Sequence, residues 1–396
     1  MFVLNTISFV KLVVFILLKS KNIVFTDTIY ILIIRIMPLP KPRNIKIERY
    51  VGGLSRLKKV SNPFKLSANE SALGASPKVI KILSKEKNKI FKYPDSDSYM
   101  LRKILSKNFK INPDKIICGS GSDQIFDLIC QLFLKSGDEV ITTEYGFIMH
   151  RIYASLYGAK ILFAKEKNFK ANIQEIIKKV SKKTKIVFIA NPNNPTGTYL
   201  TKNEMLQLRK KLRKDILLVV DDAYFEFLNK QKNFVSGLEL FKNNKNVLVT
   251  RTFSKVYGLA GLRLGWGYSS KEIIKLMNKI KPPFNVNKLA LSAGIEAIKD
   301  KTWINKAIKY NSTWSKKIFS VLQDYKIRCN KPSANFFLMN FDHAKLSSDV
   351  VFRKLADKRI ILRKMTQYRI PNSLRLTVGS KKANEHLIRS IGEIFK

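Results

Sequence analysis

Val247-Leu248-Val249-Thr250-Arg251-Thr252-Phe253-Ser254-Lys255 is the stretch from which the architecture can be read. Val247 to Thr250 are apolar or β-branched, a run long enough for a buried strand and too short for a helix. The strand ends in polar and cationic residues. A Gly-rich run, Gly258-Leu259-Ala260-Gly261-Leu262-Arg263-Leu264-Gly265, follows it. Working outward, the same design recurs toward the N-terminus. Ile216 to Val220 ends at Asp221-Asp222-Ala223-Tyr224, and Lys185 to Ala190 ends at Asn191-Pro192-Asn193-Asn194-Pro195-Thr196-Gly197. Glu139 to Thr142 is a further strand. Ile116 to Cys118 ends at Gly119-Ser120-Gly121-Ser122-Asp123, and Ile125, Leu128, Ile129, Leu132 and Phe133 then recur at helical spacing. Strand, turn and helix repeating in this way predict an α/β fold with a mostly parallel sheet between about residues 85 and 283. After Pro282-Pro283 the sequence turns helical. It closes with strands around Phe336 to Phe341, Ile360 to Leu362 and Leu374 to Val378, read as a smaller α+β domain.

The strand ends carry the chemistry, since open α/β sheets bind ligands at the carboxyl ends of their strands. Lys255, just past an apolar strand, can become a usable amine nucleophile if its pocket is partly desolvated. Asp221 ends a strand where a buried carboxylate needs a cationic partner. Tyr224 and Asn194 can donate hydrogen bonds into the same space. Gly119 to Asp123 form a turn into a helix N-terminus, a ready phosphate site. Thr252, Ser254 and Arg263 can add hydroxyls and a guanidinium fork, and Phe147 can stack on a flat ring. An amine for an aldehyde, a carboxylate for a ring nitrogen, donors for a phenolate oxygen and a cup for a phosphate together make up what pyridoxal phosphate requires.

Composition narrows the alternatives. At 396 residues the chain is long enough for two domains. The net charge of +45 comes from Lys and Arg spread through every segment, whereas a nucleic-acid reader gathers positive charge on one face. Cys118, Cys130 and Cys329 are too few and too apolar in context for a disulfide framework. His150, His343 and His386 are too dispersed for a metal site, so neither a metal nor nucleic acid is expected, and a reducing, cytoplasmic setting fits. Residues 1–36 read differently. Their apolar runs, Val10 to Leu18 and Ile29 to Ile36, fall short of the ~20 residues that span a bilayer. They are expected to lie upstream of a natural start at Met37, the alternative being a membrane-surface anchor.

Together the motifs resemble the fold-type I, class II aminotransferases, and specifically the histidinol-phosphate aminotransferase branch. The resemblance runs from about Tyr50 to the C-terminus. It rests on Asn191 to Gly197, on Asp221-Asp222-Ala223-Tyr224-Phe225-Glu226-Phe227, and on Arg251 to Lys255 with Ala260 to Gly265. It implies a fold-type I PLP-transferase. Residues 37–84 would be an N-terminal arm and part of the small domain, 85–283 the large cofactor-binding domain, and 284–396 the small C-terminal domain.

The resemblance also implies roles. Lys255 would carry the cofactor and shuttle the proton, Asp221 would hold the ring nitrogen, and Asn194 and Tyr224 the phenolate oxygen. Gly121, Ser122, Asp123, Thr252, Ser254 and Arg263 would form the phosphate cup, with Phe147 against the ring. Arg375 would hold the carboxylate of the amino-acid partner and Arg363 the substrate phosphate, with Tyr50 and Asn69 lining the substrate pocket. Tyr93 would reach the neighbouring site of a homodimer. The implied reaction transfers the amino group of a phosphorylated amino alcohol, histidinol phosphate, to 2-oxoglutarate. An aromatic amino-acid aminotransferase, a decarboxylase of the same fold or a non-catalytic basic binding protein would be the alternatives. Gln124, His150 and Ser71 depart from the family pattern, and are expected to bear on the choice of substrate.

Overall fold

The computed structural model describes residues 47–56, 61–228 and 231–396. The segment 1–36 and the expected start at Met37 lie outside the described residues. From Ile47 onward the chain forms one compact unit. Its centre is a seven-stranded sheet of β1 (Ile116–Gly119), β2 (Glu139–Thr143), β3 (Lys160–Ala164), β4 (Thr184–Ala190), β5 (Leu217–Asp221), β6 (Val247–Thr252) and β7 (Gly265–Tyr268). Their order across the sheet is β1-β7-β6-β5-β4-β2-β3. All neighbouring pairs are parallel except those of β7, which runs antiparallel to both β1 and β6.

The strands form where the sequence is apolar on both faces, the mark of a sheet covered on each side. Leu217, Leu218, Val219 and Val220 are all buried. Even residues such as Leu218 and Val220 join the cluster that includes Met205 and Leu208, and odd ones such as Val219 join the cluster of Ile125, Phe126 and Ile129. The alternation of side chains along a strand sends neighbours to opposite layers.

Two strands of this sheet were not expected. β7 reads Gly-Trp-Gly-Tyr, and glycines inside a strand erase the pattern by which strands are recognised. Gly265 is nonetheless required. A Cβ there would lie 2.3 Å from Ser122 N, so only a residue without a side chain lets β7 pass beneath the turn after β1. β3 lies at the sheet edge, half exposed, and offers a weaker apolar signal.

The C-terminal strands β8 (Phe336–Asn340), β9 (Arg363–Lys364) and β10 (Ser373–Thr377) form a separate antiparallel sheet in the order β8-β10-β9. The expected strand Ile360 to Leu362 is divided. Ile360–Ile361 pairs in parallel with Phe64–Lys65, and the chain then enters β9. A cluster containing Trp314, Ile318, Phe337, Leu374, Leu376 and Leu387 packs behind this sheet, and Leu66 from the N-terminal segment joins it. Among the described residues no helix is long and apolar enough to cross a membrane.

Candidate active site

The carboxyl ends of β1, β4, β5 and β6 open on a cavity of about 280 Å³. Lys255, Asp221, Tyr224, Asn194, Phe147, Ser122, Asp123, Thr252, Ser254 and Arg263 all line it, as do Tyr50, Asn69, Arg363 and Arg375. Two expected residues do not. Gly121 sits beside the Arg263 guanidinium without lining the cavity, and Tyr93 lies elsewhere, 79% exposed.

Two adjacent aspartates end β5, and strand alternation separates their roles. Asp221 lines the cavity, where Thr250 Oγ1 donates to its Oδ1 at 3.0 Å. Asp222 turns away and accepts from Gly237 N at 3.0 Å and Leu238 N at 3.2 Å. It also faces Arg251 at 3.6 Å, whose guanidinium lies 3.6 Å over the Phe225 ring. Asp221 is therefore the carboxylate available to a ligand.

Lys255 stands 5.4 Å from the centre of the Tyr224 ring. Burial, reinforced by Arg375, pushes its pKa down to about 8, against the pull of Asp123 and Asp221. An amine in that range keeps a far larger neutral fraction near physiological pH than an ordinary lysine, as a nucleophile and proton carrier needs.

Tyr224 is oriented by Asn69, whose Nδ2 donates to the phenol oxygen at 2.9 Å. The tyrosine's own proton is thereby left to point into the cavity. Burial holds its pKa up at about 12, so it stays a donor. Asn194 is arranged in the complementary sense. Its Oδ1 accepts from Arg375 Nη1, which leaves the amide Nδ2 as its free donor. Arg375 Nη2 also donates to Ser67 O at 2.9 Å. Among the described residues the buried Nε atoms of Arg375 and Arg363 have no partner, an arrangement that invites an anionic ligand, because an unsatisfied buried donor is costly.

The expected phosphate cup lies where the helix Ser122–Phe133 begins. Gly121 precedes it at φ +81°, and a Cβ there would lie 2.7 Å from Arg263 Nη2. Arg263 Nη2 donates to Asp123 Oδ2 at 3.1 Å. Burial raises the Asp123 carboxyl, and the arginine opposes that rise. Thr252 Oγ1 accepts from Ser254 N at 3.1 Å. Backbone N–H groups at a helix start, a guanidinium and hydroxyls form an anion site. With a carboxylate and an amine on the same cavity, the donor set fits a flat ring that bears a phosphate and an aldehyde.

Gln124, His150 and Ser71 do not line the cavity. His150 is buried against Asp221, and Gln124 braces the turn Gly119 to Ser122. Residues missed altogether include Gly53, Ser67, Glu70 and Tyr368, which complete the wall. Tyr368 follows β9, and Gly53 and Ser67 belong to irregular N-terminal chain, where no periodicity marks them.

Comparison with known proteins places this architecture. The family described as aminotransferase class I and II matches residues 61–391. A histidinol-phosphate aminotransferase of Pelagibacter ubique is 57% identical over 360 residues, covering 91% of this chain and 100% of the relative. One from Rhodospirillum rubrum is 39% identical, covering 90% and 97%. A solved histidinol-phosphate aminotransferase of Sinorhizobium meliloti, in complex with pyridoxal-5'-phosphate, superposes with a TM-score of 0.78. It is 22% identical and covers 84% of this chain and 90% of its own. One from Clostridium acetobutylicum gives 0.76 at 23% identity, covering 84% and 98%. These two show a shared fold. The chain belongs to the class I and II aminotransferase family.

Proposed function

We propose that the protein is a pyridoxal-phosphate-dependent histidinol-phosphate aminotransferase that passes the amino group on to 2-oxoglutarate. The observation that carries the reading is the pair Arg363 and Arg375, both buried and both bordering the cavity that holds Lys255. Two guanidinium groups suit a substrate with a phosphate at one end and a partner substrate with two carboxylates. The names of the relatives from Pelagibacter ubique and Rhodospirillum rubrum support the same reading.

When bound, pyridoxal phosphate supplies an aldehyde that condenses with amines and a ring that accepts electrons from the substrate's α-carbon. Lys255 would hold it. Once displaced by the donor's amino group, the free Nζ would remove the α-proton and return a proton in the second half of the cycle. Asp221 would keep the ring nitrogen protonated, steadied by Thr250. Tyr224 and Asn194 would donate to the ring's phenolate oxygen, and Phe147 would pack on its face. Gly121, Ser122, Asp123, Thr252, Ser254 and Arg263 would hold the phosphate. Arg375 would take the carboxylate of the amino-acid partner, and its bond to Asn194 links that carboxylate to the ring. Arg363 would take the phosphate of the other substrate, with Tyr50, 5.6 Å from its guanidinium, at the cavity mouth.

We further propose a division into an N-terminal arm with part of the small domain (37–84), a large domain (85–283) and the small C-terminal domain (284–396). The proposed homodimer seats on the patch where Tyr93 stacks on Phe284, ring centres 4.5 Å apart. Phe91 and Ile90 beside them are 78% and 67% exposed, an apolar area of the kind that marks an interface. Three free thiols suit a reducing, cytoplasmic compartment.

The test of the function is steady-state kinetics with histidinol phosphate against histidinol, phenylalanine and tyrosine. A kcat/KM for histidinol phosphate at least about tenfold above the others supports the reading. A preference for an aromatic amino acid would replace it.

A further inference from the structure

The turn between β1 and the helix Ser122–Phe133 is braced from outside the cavity. Ser120 N donates to Gln124 Oε1 at 2.8 Å. The same oxygen accepts from Asn285 Nδ2, also at 2.8 Å. Asn285 Nδ2 donates in addition to Cys118 O at 3.0 Å. One side-chain amide thus spans the turn, fixing the last part of the strand before it and, through Gln124, the backbone at its apex. Neither residue lines the cavity, so neither would touch the cofactor.

Asn285 is itself held in place. Phe284 adopts φ +53° and stacks on Tyr93, and Val286 is buried in the sheet's core cluster. Gln124 is a neutral acceptor. Its single side-chain oxygen receives both donors.

We propose that Asn285 and Gln124 are positioning residues for the phosphate-binding turn, setting the affinity for the cofactor's phosphate and leaving the ring contacts alone. The inference rests on the cofactor reading above. An anion site made of backbone N–H groups depends on those groups pointing at one spot. Side chains that fix the turn in that arrangement lower the cost of ordering it on binding.

The test is equilibrium binding of pyridoxal phosphate and of pyridoxal, which lacks the phosphate, to the cofactor-free protein. Wild type is compared with Asn285→Ala, Gln124→Ala and the double variant, and thermal unfolding of each checks the fold. Loss of the bracing hydrogen bonds is expected to weaken pyridoxal phosphate binding about tenfold and to leave pyridoxal unchanged. The double variant is expected to lose no more than about what Asn285→Ala loses alone, since the two act as one unit. Should Asn285→Ala not fold, Gln124→Ala still removes the shared acceptor and the same comparison decides. Equal loss for both ligands, or wild-type affinity for pyridoxal phosphate, overturns the inference. Wild type that does not prefer pyridoxal phosphate over pyridoxal removes the cofactor reading, and this inference with it.

Discussion

His150 Nε2 lies 3.7 Å from Asp221 Oδ2, with no hydrogen-bond partner of its own. The imidazole is stacked on Phe188, ring centres 4.7 Å apart and 14° from parallel, while Phe126 and Phe147 meet it edge-on. A residue that looked like a variation in the substrate pocket is the neighbour of the proposed ring-nitrogen carboxylate. His150→Phe keeps the stacking and removes the nitrogen. We expect kcat at saturating cofactor to fall by roughly threefold to tenfold, about the worth of one polar interaction, with KM for both substrates unchanged. A changed KM with kcat intact would place His150 in substrate binding after all.

The depressed pKa of Lys255 gives a pH dependence of definite sign. Below about 8 the amine is mostly protonated and unreactive, and above it mostly free. The rate at which cofactor-free protein captures pyridoxal phosphate should therefore rise with pH and be half-maximal near 8. Stopped-flow absorbance across pH 6 to 10 reads this directly (the window spans about two units either side of the midpoint). A midpoint near that of an ordinary lysine would mean that Lys255 is not desolvated.

Arg363 and Arg375 separate by ligand. Arg363→Ala should lower kcat/KM for histidinol phosphate by roughly 10- to 100-fold, the loss of one charge-assisted contact, and barely alter that for histidinol. Arg375→Ala should cost a similar factor for 2-oxoglutarate. Because Arg375 also donates to Asn194, its loss should shift the absorption band of the bound cofactor as well. Indifference of the histidinol phosphate reaction to Arg363→Ala would reassign the phosphate site.

Gly265→Ala tests the close passage of β7 beneath the phosphate turn. The added methyl meets Ser122 N at 2.3 Å, a backbone atom that cannot swing aside. We expect a loss of about 1–3 kcal/mol in urea unfolding, together with weaker cofactor binding. Wild-type stability would show that the turn can yield.

Much of this was legible in the sequence because β5 and β6 are apolar on both faces and stop abruptly at polar residues. Asp221, Tyr224, Thr252, Ser254 and Lys255 could be placed on one sheet edge by counting along those strands. The strand end singled out Asp221, and the bonds from Gly237 N and Leu238 N to Asp222 explain why its neighbour is not the one facing the cavity. β7 was hidden by its glycines, whose purpose appears only when Ser122 is seen above Gly265. Gln124 and His150 face away from the cavity and join residues distant in sequence, Asn285 and Asp221. No local pattern encodes such a contact.

Lys255, Asp221 and the paired arginines are proposed to transfer an amino group from histidinol phosphate. The most direct measurement is single-turnover absorbance of the cofactor-loaded protein mixed with histidinol phosphate and no keto acid. The visible band of the bound cofactor should be lost in one turnover and return on adding 2-oxoglutarate. Lys255→Ala should slow the conversion by at least about 10²-fold, the scale of a lost general base. A band that histidinol phosphate leaves unmoved would contradict the proposed substrate, and a Lys255→Ala variant that still turns over at the wild-type rate would contradict the mechanism.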